Sequence, residues 1–145
     1  MKDQASFMTF KRALSPAVNT NLNVTPLVSE IIDRDGYESL TFALITGALT
    51  DANAVYSVLV EDAEESAFNV TNAAVVDEYL VGTEVLAAFT FASDNACRKI
   101  GYVGNKRYVR VTITPTTAAD AGDTPLAIIA ILGNGHIGQQ VNPPV

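Results

Sequence analysis

The strongest constraint on the fold is alternation with a period of two. Leu40, Phe42 and Leu44 alternate with Ser39, Thr41 and Ala43. Tyr56, Val58 and Val60 alternate around Ser57, and Val109, Val111 and Ile113 alternate with Tyr108, Arg110 and Thr112. A strand turns successive side chains to opposite faces, so each run predicts one face on a core and one toward water. Phe89 and Phe91 repeat the pattern over a shorter run. Leu126–Leu132 is apolar throughout, which predicts a central strand covered on both faces. Turn residues separate the runs: Asp35-Gly36, Asp51-Ala52-Asn53 and Gly104-Asn105. The last lies between Lys99–Val103 and Arg107–Thr114 and reads as a hairpin. Residues 73–88 mix helix and strand signals, with Gly82 between them. Seven or eight short strands predict an all-β, single-domain β-sandwich, jelly-roll-like.

The ends lack this alternation. Residues 1–29 carry Pro16, Pro26 and three bases (Lys2, Lys11 and Arg12), and read as an extended N-terminal arm with one strand near Leu27–Ile32. Residues 30–138 form the sandwich domain. Residues 139–145 hold Pro143-Pro144 and form a short C-terminal tail that cannot be helical. At 145 residues and 48% hydrophobic, the chain can bury a core without a disulfide or metal. No apolar run is long enough to span a membrane as a helix. The first residues lack a secretion-signal pattern, so the expected site of synthesis is the cytoplasm.

Charge narrows the function. The net charge of −7 argues against direct nucleic-acid binding, which draws on clustered Lys and Arg. The charge is also segregated. Nine acids and no base lie between Asp51 and Asp94: Asp51, Glu61, Asp62, Glu64, Glu65, Asp77, Glu78, Glu84 and Asp94. Five bases and no acid lie between Arg98 and Arg110: Arg98, Lys99, Lys106, Arg107 and Arg110. Such blocks either meet a partner's complementary surface or pair with each other inside one molecule.

No motif supplies chemistry. Gly133-Asn134-Gly135-His136-Ile137-Gly138 matches a dinucleotide fingerprint, but only seven residues follow it. The helix and second strand that the fingerprint needs have no room. It reads as a glycine-rich turn leaving the last strand. The single His136 stands among glycines, a poor setting for a preorganised base. The single Cys97 reads as a small core side chain. Asp33-Arg34-Asp35-Gly36 starts like a calcium loop but lacks its later ligands, and reads as a turn. Glu61-Asp62-Ala63-Glu64-Glu65 reads as a solvated loop. The absence of Trp argues against sugar stacking. The chain is therefore expected to be no enzyme and to bind neither cofactor nor metal.

Two stretches, Ile32-Asp33-Arg34-Asp35-Gly36-Tyr37-Glu38-Ser39-Leu40 and Arg98-Lys99-Ile100-Gly101-Tyr102-Val103-Gly104-Asn105-Lys106-Arg107-Tyr108-Val109-Arg110-Val111, resemble a family of small proteins of tailed phages and prophages. Leu49-Thr50-Asp51-Ala52 and Gly82-Thr83-Glu84 are similar too, and the likeness covers roughly residues 30–133. The resemblance implies a head-associated virion protein, similar to capsid decoration or cement proteins with β-sandwich folds. Its implied partners are the major capsid protein, on the capsid exterior, and further copies of itself as a dimer or trimer. Lys2, Lys11, Arg12, Arg98, Lys99, Lys106, Arg107 and Arg110 are the expected contact residues. A head-tail connector or tail component is the alternative inside the virion. A β-sandwich carbohydrate- or receptor-binding module is the alternative outside it.

Overall fold

The computed structural model describes residues 4–19, 25–50, 52–69, 73–116 and 122–136. Ten strands lie among them. They are β1 (Met8–Ala17), β2 (Leu27–Val28), β3 (Ile32–Asp33), β4 (Tyr37–Thr46), β5 (Val55–Ala63), β6 (Leu80–Val81), β7 (Phe89–Thr90), β8 (Cys97–Tyr102), β9 (Tyr108–Pro115) and β10 (Leu126–Gly135). One helical turn, α1, covers Glu84–Ala87. The first sheet has the order β1-β10-β4-β8-β6 and the second β2-β9-β5-β7, with β3 also on β9. Every pairing is antiparallel.

The order follows from one fold-back. β1 pairs with β10, β2 and β3 with β9, β4 with β8, and β5 with β7. Each early strand meets its counterpart counted from the other end, and the doubled chain rolls into two sheets. This is the jelly roll that the alternation predicts. The inward residues Leu40, Phe42 and Leu44 of β4 meet Tyr56, Val58 and Val60 of β5 and Val109, Val111 and Ile113 of β9 in one buried cluster. Tyr56 stacks on Phe89 with ring centres 4.7 Å apart. The turn at 34–37 closes with Tyr37 N–H on the Arg34 carbonyl at 2.9 Å, and Gly36 takes the positive φ (81°) that this turn demands.

Several expectations need correction. The residues read as an arm are not all outside the body, because β1 is an edge strand of the first sheet, paired from Met8 to Ala17 with β10. Its register shifts between Arg12 and Leu14 and again before Ala17, which breaks the alternation. The strand near Leu27–Ile32 is two short pieces. Between them the Ser29 hydroxyl accepts from Val111 N–H at 2.9 Å. β10 is covered on one face only. Leu126, Ile128, Ala130 and Leu132 are buried, whereas Ala127, Ile129 and Ile131 are half-buried on the outer face. β8 and β9 are not a hairpin, because they belong to opposite sheets. Both point apolar residues at the core, from opposite sides, and residues 103–107 carry the chain across. Cys97 is exposed rather than in the core, because the first position of β8 faces outward opposite Ile45. Glu61-Asp62-Ala63 is the end of β5, not a loop. Phe91 lies beyond β7 and is 42% exposed. Lys2, the Pro143-Pro144 tail and the last glycine of the Gly133–Gly138 run lie outside the described residues.

The crossing at 103–107 is pinned by a buried link between the sheets. The Tyr102 hydroxyl donates to Asp62 Oδ2 at 2.7 Å and accepts from Lys106 N–H at 3.1 Å. Lys106 Nζ stands 3.5 Å from Asp62 Oδ1. Burial, then the Asp62 carboxylate, push the Tyr102 phenol up, so it stays a donor. A side chain at Gly104 would collide with that hydroxyl, so the glycine is what lets the loop lie against the ring. Tyr102→Phe removes the donor and leaves a buried carboxylate short of one bond. The expected cost is about 1–3 kcal/mol, read as a lower denaturation midpoint in urea with an unchanged slope.

Candidate interaction surface

The basic residues do not gather into one patch. Arg107 forks onto Asp33, with Nε to Oδ1 at 2.9 Å and Nη2 to Oδ2 at 2.7 Å, and also reaches Asp35 at 3.4 Å. Arg110 forks onto Glu61 at 2.9 and 3.0 Å, beneath the Phe68 ring. Thr112 donates to the same Glu61 at 2.7 Å. Arg12 pairs with Glu30 at 2.8 Å, and Lys11 Nζ donates to the Asp33 carbonyl at 2.8 Å. Arg98 donates to the Leu86 carbonyl at 3.1 Å and to Ser93 at 3.4 Å. Lys106 faces Asp62, as above. Lys99 is exposed on the outer face of β8. The two blocks meet at two pairs, Arg110–Glu61 and Lys106–Asp62, whereas Arg107 pairs with Asp33 and Asp35 outside the acidic block and Arg98 binds a carbonyl and a hydroxyl.

These pairs set the response to acid. The Arg110 fork holds the Glu61 carboxyl below its ordinary 4.5 against the opposing effect of burial, with Thr112 assisting. The Arg107 fork likewise holds Asp33 below its ordinary 3.8. Glu84 behaves oppositely, because burial raises its carboxyl above 4.5.

Chemical centres are sparse. No three His, Cys, Asp or Glu side chains converge to hold a metal ion among the described residues. His136 Nε2 lies 3.3 Å from Glu38 Oε1 at the surface. Asp33 and Asp35 form the expected turn, with Asp35 N–H on Asp33 Oδ1 at 2.9 Å. A polar depression of about 180 Å³ lies among Arg34, Tyr37, Asn105, Arg107 and His136.

The larger surface feature is the outer face of the first sheet. The register places Ile131, Thr41 and Gly101 in one row across β10, β4 and β8, and Ile129, Ala43 and Lys99 in the next. Phe10 of β1 adjoins Ile131 and is 49% exposed. Three depressions are set in and around this face. One of about 320 Å³ lies at Phe7, Ser39, Thr41, Ile131 and Gly133. One of about 200 Å³ lies at Thr41, Val81, Lys99 and Gly101. A third, of about 380 Å³, lies where β1 and β4 end and β10 begins. Two glycines shape the first two. A Cβ at Gly133 would come within 2.8 Å of Ser39 Oγ, and one at Gly101 within 3.0 Å of Val81 Cβ. The sequence reading passed over these residues. The available signal was a glycine inside a strand, which marks a close approach; here Val81 packs over the buried Gly101, and the Ser39 hydroxyl lies against Gly133.

No family model matches the chain, and no curated protein matches it. Solved structures resemble it at low identity. The xylan-binding module CBM15 is 11% identical, with 92% of this chain and 94% of that one covered at a TM-score of 0.44. A family 35 carbohydrate binding module from an environmental isolate is 11% identical, with 92% of each chain covered at 0.45. The K1 cleaved adhesin domain of Lys-gingipain from Porphyromonas gingivalis W83 is 16% identical, with 92% and 88% covered at 0.42. These are similarities between β-sandwiches, and nothing about ligand or partner follows from them.

The ion pairs generate a prediction in solution. Glu61 and Asp33 are acidic groups with lowered folded values, so their stabilisation is full above the ordinary carboxylate range. It is lost as pH falls through the lowered values. Glu84 has a raised value, so acidification through that value toward 4.5 adds stability. Denaturation measured from pH 7 to pH 3 is expected to show a slight gain and then a steeper loss. Glu84→Gln, which keeps an acceptor for the Val60 N–H, is expected to abolish the gain. Arg110→Met is expected to shrink the loss.

Proposed function

We propose that the chain is a non-enzymatic binding module that docks on protein through the outer face of its first sheet. One observation supports this most directly: a broad sheet face, with Phe10, Ile129, Ile131 and Ala43 between the basic Arg12 and Lys99, that no other part of the described chain covers. Isolated exposed apolar side chains are ordinary, but a contiguous stretch of them marks an interaction site. The face carries aliphatic, hydroxyl and basic side chains around depressions of about 200 and 320 Å³. Such a surface suits another protein surface better than a small substrate, which takes a concave pocket.

Within that reading, the finer proposal is capsid decoration. The module would sit on the exterior of a phage head and bind the major capsid protein lattice. The resemblance over residues 30–133 to small phage head proteins supports it. A rigid two-sheet body presenting a flat face is what a cement protein requires, since its role is to bridge shell subunits rather than to turn over. A connector or tail component would use the same surface at far lower copy number.

A second reading is a carbohydrate- or receptor-binding module. It is favoured by Ser39, Thr41 and Lys99, whose hydroxyls and ammonium line two of the depressions and can bond to sugar hydroxyls. Against it, the chain has no Trp, and the exposed rings near the face, Phe7 and Phe10, stand toward its β1 side.

Quantitative mass spectrometry of purified particles of the source virus tests the main reading. Copy numbers near that of the shell protein are expected, whereas a few copies per particle would move the assignment to connector or tail. Absence from particles, with hits on a glycan array, would establish the second reading instead. Ile131→Lys keeps an aliphatic stem on the sheet and puts a charge on the face. It is expected to lower occupancy on particles at least tenfold while the melting temperature changes little.

A further inference from the structure

The proposed docking gives no role to Gly133-Asn134-Gly135 at the end of β10. This run holds the one Asn-Gly pair in the sequence. An asparagine followed by glycine can close on itself, because no side chain hinders the swing of the next backbone nitrogen onto the asparagine amide carbon. The fold decides whether it does, through what it makes of the side chain and of the following N–H.

At Asn134 both are left free. Its side chain is exposed and has no hydrogen-bond partner among the described residues. Tyr37 N–H goes to the Arg34 carbonyl and His136 N–H to the Gly36 carbonyl, each at 2.9 Å. Gly135 and Tyr37, which stand opposite each other, are therefore a non-hydrogen-bonded pair, and the Gly135 N–H points away from β4. On that other side the β1 ladder stops at Met8 opposite Gly133. The Asn134 backbone is left-handed (φ 52°), which asparagine tolerates.

The other described asparagines are held or hindered. Asn19 gives its side-chain amide to the Ala17 and Thr124 carbonyls at 3.1 and 3.0 Å. After Asn95, the Ala96 N–H is bonded to Thr46 Oγ1 at 3.0 Å. After Asn105, the Lys106 N–H is bonded to the Tyr102 hydroxyl at 3.1 Å. Asn53 precedes the buried Ala54, and Asn69 precedes the β-branched Val70.

We propose that Asn134 is a self-modification site. The Gly135 nitrogen attacks Asn134 Cγ and the N–C bond forms. The Cγ–Nδ2 bond breaks, and ammonia leaves with the Gly135 proton. Solvent water then opens the ring. Opening at Cγ gives aspartate, and opening at the backbone carbonyl gives isoaspartate, whose chain runs through the former side chain. Either product puts a carboxylate where an amide stood, in the depression shared with Phe7, Ser39, Thr41 and Ile131. The face proposed for docking thus gains a negative charge as the protein ages. The chemistry itself does not depend on what that face binds.

The full folded chain, held at mildly alkaline pH, is tested by peptide mass spectrometry and by isoaspartate-specific enzymatic methyl transfer. Loss of ammonia and gain of water are expected at 134, at least about tenfold faster than at Asn19, Asn53, Asn95 or Asn105, where no glycine follows. Asn134→Gly keeps the left-handed backbone and has no amide, and is expected to leave that peptide at its starting mass. Reaction at 134 in the urea-unfolded chain but not in the folded one would overturn the proposal, because the fold would then be withholding Gly135. So would faster reaction at another asparagine, or methyl transfer confined to Asp35, which also precedes a glycine. Failure of fresh and aged chains alike to bind particles would count against the proposed function and leave this site standing.

Discussion

The ladder between β4 and β10 is the pairing on which the rest of the structure rests. It runs from Leu126 opposite Thr46 to Gly135 opposite Tyr37. β10 carries β1 on its other side, and β4 carries β8. Remove that ladder and the first sheet separates into two ribbons, each with too little apolar area to stand alone. The inward side chains of the two strands, Leu40, Phe42, Leu44, Ile128, Ala130 and Leu132, form much of one wall of the core. The outward side chains of the same strands form the candidate interaction surface. A single register therefore sets both, since a slip by one residue would exchange the two faces.

The sandwich is joined at its ends by polar links as well as by the core. At one end Tyr102, Asp62 and Lys106 tie β8 to β5 through the crossing loop. Elsewhere the Tyr56 hydroxyl meets Thr124 at 2.5 Å in a buried contact. Buried polar groups of this kind stay costly unless partnered, so each fixes the loop that partners it. The surface ion pairs do less for stability, because water screens them. Their structural effect is to hold Arg12, Lys106, Arg107 and Arg110 against neighbouring acids.

The architecture was legible wherever a strand had one buried face and no bulge. Leu40–Leu44, Tyr56–Val60 and Val109–Ile113 announce themselves through alternation, and the jelly roll follows from their number and spacing. β1 was hidden because two register shifts break its pattern. The reading of β8 and β9 as a hairpin failed for a different reason. A short loop with Gly104-Asn105 fits a hairpin and a sheet crossing equally well, and the pairing of β8 with β4 and of β9 with β5 decides between them. The site was less legible than the fold. The bases stood out as a block along the chain, but position along a sequence does not show which acid lies across a sheet. Glu61 stands opposite Arg110 although 49 residues separate them. Gly101 carried no signal in the sequence, yet its lack of a side chain is what lets Val81 pack over β8.

The place of β10 has a consequence for biosynthesis. The last strand of the fold is not an edge but sits between β1 and β4, the first and fourth to be made. A ribosome emitting this chain releases β1 long before β10, its ladder partner among the described residues, exists. Until about residue 135 has emerged, the first sheet lacks its middle, and both flanking strands show open edges to solvent. Loop closure over such separations is slow relative to local structure. The sandwich can therefore close only after its final strand has left the exit tunnel. Closure of the first sheet becomes a late event, and for that interval the nascent chain carries unpaired strand edges.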